Sequence, residues 1–193
     1  MDSTDLILGV LITGILIFAV ILVYLQNRNR GKRLAYQAEK RGGEIHKGGL
    51  FGMSELWIPF KEIVIVIRSV PGSKYSSPKT IAQVKLDSPR LTPIRIQRNS
   101  LWQKAITAFG RERLSTGDEE FDSRWITRVD DPFAVQKIVT AEFKAKLNER
   151  ILQSLSILIQ PQEATFTIMT IPPNNEGYDQ FIDMVLSVLN IIL

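Results

Sequence analysis

Between Leu6 and Leu25 the chain reads LILGVLITGILIFAVILVYL, where Thr13 is the one strongly hydrogen-bonding side chain before Tyr24. About 20 helical residues rise roughly 30 Å, the thickness of a bilayer's hydrocarbon core. Each Leu, Ile, Val or Phe favours insertion by about 0.3–0.6 kcal/mol, with no charge in opposition. The pattern predicts a transmembrane anchor over residues 1–26. From 27 to 43 it turns polar and basic, with Leu34, Ala35 and Ala38 continuing a helix that stops near Arg41-Gly42-Gly43. This stretch reads as a basic juxtamembrane linker, with the glycine pair as a hinge.

The pattern then shortens to strands. Ile63 to Ile67 is five consecutive β-branched residues, expected as a central strand buried on both faces. Thr80 to Leu86 alternates Ala82, Val84 and Leu86 with Gln83 and Lys85, and Ile94 and Ile96 alternate with Arg95 and Gln97. Pro71-Gly72 to Pro78 is turn chemistry, and Leu50 to Phe60 supplies one or two further strands. Ser100 is placed to cap a short helix over Leu101 to Phe109. Residues 44–110 therefore read as an antiparallel β-rich part.

Residues 111–193 read as a βαββα part. Phe121 to Val129 is expected as a strand, and Asp131-Pro132 as N-cap and first residue of a helix reaching about Gln153. Val135, Val139, Phe143, Leu147 and Ile151 form its i+4 ladder. Leu155 to Gln160 and Thr165 to Ile171 are expected as a hairpin. Tyr178 to Leu193 closes the chain as a helix apolar around most of its circumference, yet too short and too polar at Asp183 and Asn190 to span a membrane. Packing between the sheet and the preceding helix satisfies it; Phe181, Val185, Leu189 and Ile192 are the candidates for meeting a partner instead. The fold class is a single N-terminal transmembrane helix plus a cytoplasmic α+β domain.

Charge sets the orientation. Only Asp2 and Asp5 precede the span, whereas Arg28, Arg30, Lys32 and Arg33 follow it. Cations mark the cytoplasmic flank, so an uncleaved signal anchor is expected, N-terminus outside and domain inside, which for a bacterial chain means the cell inner membrane. Tyr24 with Arg28, Arg30, Lys32 and Arg33 forms the expected membrane-surface set. The net charge of +4 is largely accounted for by this segment, which argues against nucleic acid as partner.

Chemistry is sparse. There is no cysteine, and the lone His46 has no partner cysteine or second histidine. The phosphate-loop, nucleophile-elbow and dinucleotide patterns are missing from the sequence. One carboxylate cluster stands out, Gly117-Asp118-Glu119-Glu120-Phe121-Asp122, with Asp130-Asp131 beyond it. Oxygen ligands suit a hard divalent cation, but the spacing lacks the alternation of a calcium loop. No cofactor, resident metal or catalytic residue is expected.

The same G-D-x-x-F-D run, with Asp131-Pro132, the amphipathic helix, the hairpin and the last apolar helix, resembles an uncharacterised class of bacterial membrane-anchored proteins. The resemblance covers about the last 80 residues by the length of those elements. It implies a strand entry at Asp118, Phe121 and Asp122 and a capped helix at Asp131 and Pro132, as structural signature positions. The reading that follows is a non-catalytic accessory or assembly subunit of a membrane complex, in contact with lipid through its anchor and with protein partner subunits. A membrane-tethered lipid- or small-molecule-sensing module is the alternative. A metal-dependent enzyme using Asp118, Glu120 and Asp122 comes third.

Overall fold

Helix-favouring Leu, Ala and charged residues run from the apolar stretch into the basic one with no proline, and the backbone follows them without a break. In the computed structural model, which describes residues 3–47, 53–86, 92–99, 114–129 and 132–193, helix α1 spans Ser3–Arg41. Among the described residues it is the one helix long and apolar enough to cross a membrane. From Leu11 to Leu25 its large hydrophobic side chains stand 43–69% exposed. Further on, Leu34, Gln37 and Ala38 are buried.

The strands are β1 (Glu44–His46), β2 (Glu55–Phe60), β3 (Ile63–Val70), β4 (Lys79–Lys85), β5 (Ile94–Arg98), β6 (Trp125–Val129), β7 (Ser156–Ile159) and β8 (Glu163–Ile168). They form one sheet in the order β1-β2-β3-β4-β8-β7-β5-β6, antiparallel at every pairing. Strands from 44–110 and from 111–193 interleave: β8 lies beside β4, and β7 beside β5. The two parts thus share one sheet and one core.

Among the described residues four shorter helical pieces and a 3-10 turn accompany the sheet: α2 (Glu119–Arg124), α3 (Pro132–Ile138), α4 (Ala141–Lys146), the turn Arg150–Ser154, and α5 (Asn175–Ile192). Asn174 caps α5 by accepting the Gly177 amide at 2.9 Å. Phe181, Met184, Val185, Val188 and Leu189 of α5 are fully buried in the cluster that holds Ile65, Ile67, Ile157 and Phe166 of the sheet. The ridge weighed as partner-facing is therefore core at Phe181, Val185 and Leu189; only Ile192 of that set is partly open.

Three other expectations change. The segment Phe121 to Val129 is not all strand: Asp118 accepts the Phe121 amide at 3.0 Å and starts α2, and the strand begins only at Trp125. An aspartate cap followed by acidic residues in the first turn is a helix start. The helix expected from Pro132 to Gln153 is broken at Thr140, whose extended backbone and side chain cap α4. Ile138-Val139-Thr140 places three β-branched residues in succession, which weakens a helix, and the threonine hydroxyl competes for the Phe143 amide. Val135, Val139, Phe143 and Leu147 still reach the core from the separate pieces.

The third change concerns β3. Ile65 and Ile67 are buried, but Val64 is 43% exposed and Val66 is partly open, so the strand is covered on one face. The helix expected at 101–109, with its Ser100 cap, and the cap at Asp131 lie outside the described residues. The alternating strands and the 156–168 hairpin match their patterns, the hairpin turning at Pro161-Gln162 with paired bonds between Gln160 and Glu163.

Candidate functional site: the root of the first helix and the open face of the sheet

The stretch expected as a linker is the last part of α1, and it is fastened to the domain. Gly42 takes φ +64°, and the Gly43 amide reaches back to the Ala38 carbonyl at 2.8 Å. This is the glycine-terminated cap in which the second residue past the helix closes on the carbonyl five residues before it. Gly43 is needed for a different reason: a Cβ there would lie 2.5 Å from the Trp57 carbonyl oxygen. The two glycines therefore lock a junction where a hinge was expected.

Polar bonds extend that junction along α5, which runs in the same direction as α1. Arg33 donates to the Pro172 carbonyl at 3.1 Å, and the buried Gln37 amide to the Asn175 carbonyl at 3.2 Å. Lys40 and Arg41 both reach Asp179, at 2.7 and 3.0 Å, and Arg41 also reaches Asp183 at 2.8 Å. Partial burial pushes the Asp179 carboxyl up, but bonds from Lys40, Gln37 and Arg41 outweigh it and hold the group below its ordinary value. The same bond to Asp179 raises Lys40. Spacing of three and four on α1 meets spacing of four on α5, as neighbouring helix faces require.

Below this, one buried hydroxyl chain ties α5 to the sheet. Thr80 donates to the Thr170 carbonyl at 2.9 Å, so Ser69 must donate to Thr80 at 3.2 Å, and Tyr178 to Ser69 at 2.9 Å. Each hydroxyl has one proton, which fixes the order. Burial raises the Tyr178 hydroxyl's pKa.

The membrane-surface set divides accordingly. Tyr24, Arg28 and Lys32 are exposed and Arg30 half-buried, whereas Arg33 is engaged with Pro172.

The carboxylate cluster is held in protein contacts. Asp118 binds Lys144 at 2.7 Å besides capping α2; the lysine first, then the Phe121 amide, lower its pKa. Asp122 accepts from the Ser115 hydroxyl and from the Thr116 amide and hydroxyl, each at 2.9 Å. Glu120 pairs with Arg124. Among the described residues no three His, Asp or Glu side chains are grouped to hold a metal. His46 instead lies against the Trp57 ring, centroids 4.2 Å apart. Phe121, the remaining signature position, is buried and stacked on Trp125, and Pro132 opens α3.

Among the described residues the helices leave one sheet face open, a surface that the unbroken β-branched run concealed. Register places Trp57, Val66, Gln83, Thr165, Leu158, Arg95 and Arg128 in one row across it. A groove of about 600 Å³ lies at its apolar end, lined by Trp57, Val64, Val66, Gln83, Lys85 and Glu163 among others. A second cleft of about 720 Å³ beside the start of α5 carries Arg98 and Arg150 with Glu176. Trp57 and Val64 stand on the side opposite Leu56 and Ile65, a division visible in burial and not in the sequence, where all four positions are apolar.

No protein-family model matches the sequence, and no curated protein matches it. Its fold is similar to the crystal structure of the mycobacterial trehalose monomycolate transport factor A, TtfA, with a TM-score of 0.54 and 9% identity, covering 86% of this chain and 95% of that one. At that identity the likeness is one of fold.

Proposed function

We propose that this chain is a non-catalytic accessory subunit of a membrane protein complex, crossing the bilayer once with its N-terminus outside and its sheet domain on the cytoplasmic side. The observation that carries the reading is the continuity of α1: an exposed apolar half passes into a half built into the domain. Such a domain is held at the membrane surface at a fixed height. Exposed Arg28 and Lys32 just past the apolar half support the orientation. The fold neighbour is by its title a transport factor, which agrees with service to a membrane transport system.

The partner contact is assigned to the open sheet face, where Trp57, Val64 and Val66 are an apolar patch bordered by Lys85 and Glu163. Isolation of the tagged chain from its own membranes in mild detergent should yield a constant, stoichiometric set of partners. That set should be lost in a Val64→Lys/Val66→Lys variant that still melts cooperatively. A monodisperse monomer from native membranes would sink the proposal. The groove volume also favours a second reading, a lipid- or small-molecule-binding module; a ligand retained in that groove through purification, without protein partners, would decide for it.

A further inference from the structure

The turn joining β3 to β4 does nothing for the core, yet it is built tightly. Ser73 and Ser76 exchange backbone bonds at 2.8 and 3.3 Å, their hydroxyls meet at 2.9 Å, and the Tyr75 amide donates to the Ser73 hydroxyl at 3.2 Å. Gly72 has no room for a Cβ, which would fall 2.9 Å from the Ser76 carbonyl oxygen. At the tip this frame presents Lys74 and Tyr75, the tyrosine 90% exposed and the ammonium 5.6 Å from its ring centre.

Contacts with α1 give the height of that tip. The middle of β2, at Trp57, meets Gly43 beyond the far end of α1. Ser54, just before β2, and Ser69, near the end of β3, share a small cleft with Asn27, Arg30, Gly31 and Leu34. Strand β2 therefore runs away from the exposed apolar half of α1, and β3, antiparallel to it, runs back. From Ser69 the chain advances to Ser73 by about 13 Å of extended backbone, the rise of about nine helical residues. Counted back along α1, this reaches about Leu25 from Leu34 and about Ile21 from Arg30, and any tilt of the strand against the helix shortens the advance, so the tip lies level with the end of the apolar stretch. Met53 and Met169, both substantially exposed, face the same end of the domain.

We infer that Lys74 and Tyr75 form a second bilayer contact, seated in the headgroup layer at the height where α1 emerges, the ring among glycerol and ester groups and the ammonium on anionic lipid phosphate. The inference rests on the reading that α1 spans the bilayer. Tyrosine and lysine suit this layer because each has an apolar body and a polar tip. A second contact beside α1 would restrain the domain's rotation as well as its height.

Because the chain has no cysteine, single-cysteine nitroxide labels test this cleanly. The full chain is reconstituted in phosphatidylcholine vesicles containing phosphatidylglycerol, with labels at Ser77→Cys, Leu16→Cys and, at the opposite end of the sheet, Glu62→Cys. Expected are hydrocarbon depth for Leu16, headgroup depth for Ser77 and bulk water for Glu62, from collision with oxygen against a water-soluble relaxant. Adding Lys74→Ser and Tyr75→Ser should return the Ser77 label to the Glu62 value. Water at Ser77 with Leu16 still in hydrocarbon overturns the second contact alone. Headgroup depth that survives the double substitution overturns the role of these two side chains. Water at Leu16 overturns the span, and the inference with it.

Discussion

The outer half of α1 and the whole of α5 are the two most apolar helical stretches of the chain, and the fold treats them in opposite ways. α5 is enclosed, with Phe181, Met184, Val185 and Leu189 at 0% exposure, whereas the large apolar α1 side chains from Leu11 to Leu25 are exposed. Apolar character alone does not say what will cover a helix. Length does part of the deciding, and polar interruption the rest: Asp179 and Asp183 give α5 a side on which to receive Arg41, while Leu6 to Leu25 offers no such side.

The same substitution in each helix makes the contrast sharpest. Val185→Asp is expected to abolish the cooperative melt of the domain, since an unpaired carboxylate among buried apolar groups costs more than about 4 kcal/mol. Leu16→Asp should leave that melt unchanged and instead oppose insertion by about 2.5–3.5 kcal/mol, read as loss of the chain from carbonate-washed membranes. Next in size is the junction between the helices. Arg41→Ala strips Asp179 and Asp183 of a partner in a half-buried setting, and calorimetry in detergent should show a loss of about 1–2 kcal/mol. A melt unchanged by Arg41→Ala would mean that α1 is seated by Leu34 and Ala38 alone.

Acid gives the smallest effect. Asp118 and Asp179 both have folded pKa values below the ordinary carboxylate value, so their contribution is fully present above about pH 3.9, the unfolded value, and is lost as pH falls through the folded ones. A double Asp118→Asn/Asp179→Asn variant should therefore show a flatter fall in melting temperature over that acid interval than the unaltered chain.

Much of this architecture was legible where one period dominates. The run Leu6 to Leu25, the alternation at Ile94 to Gln97, the hairpin around Pro161 and the closing helix all carry their structure in local pattern. Where two signals compete, reading failed. At Phe121 an aspartate cap overrode apolar spacing that suits a strand, and at Thr140 a hydroxyl cap cut a ladder that is continuous in sequence but not in backbone. The junction was hidden for another reason: Gly42-Gly43 has the composition of a hinge, and only the Trp57 carbonyl beside Gly43 shows it to be a close approach. Likewise Val64 and Val66 lie within a run that local pattern treats as uniformly buried. Their exposure depends on which side of the sheet the helices take, a property of the assembled fold.

The locked end of α1 has a mechanical consequence. From Leu25 to Arg41 the helix extends about 24 Å beyond the apolar stretch, so a tilt of about 20° carries its far end sideways by about 8 Å, and the whole sheet turns with it. A flexible tether would absorb such motion; this one transmits it. Seated in a bilayer as proposed, the chain would work as a lever, its arm of about 30 Å in the hydrocarbon layer feeling that layer's thickness and its arm of about 24 Å beyond setting the direction in which the open face is aimed.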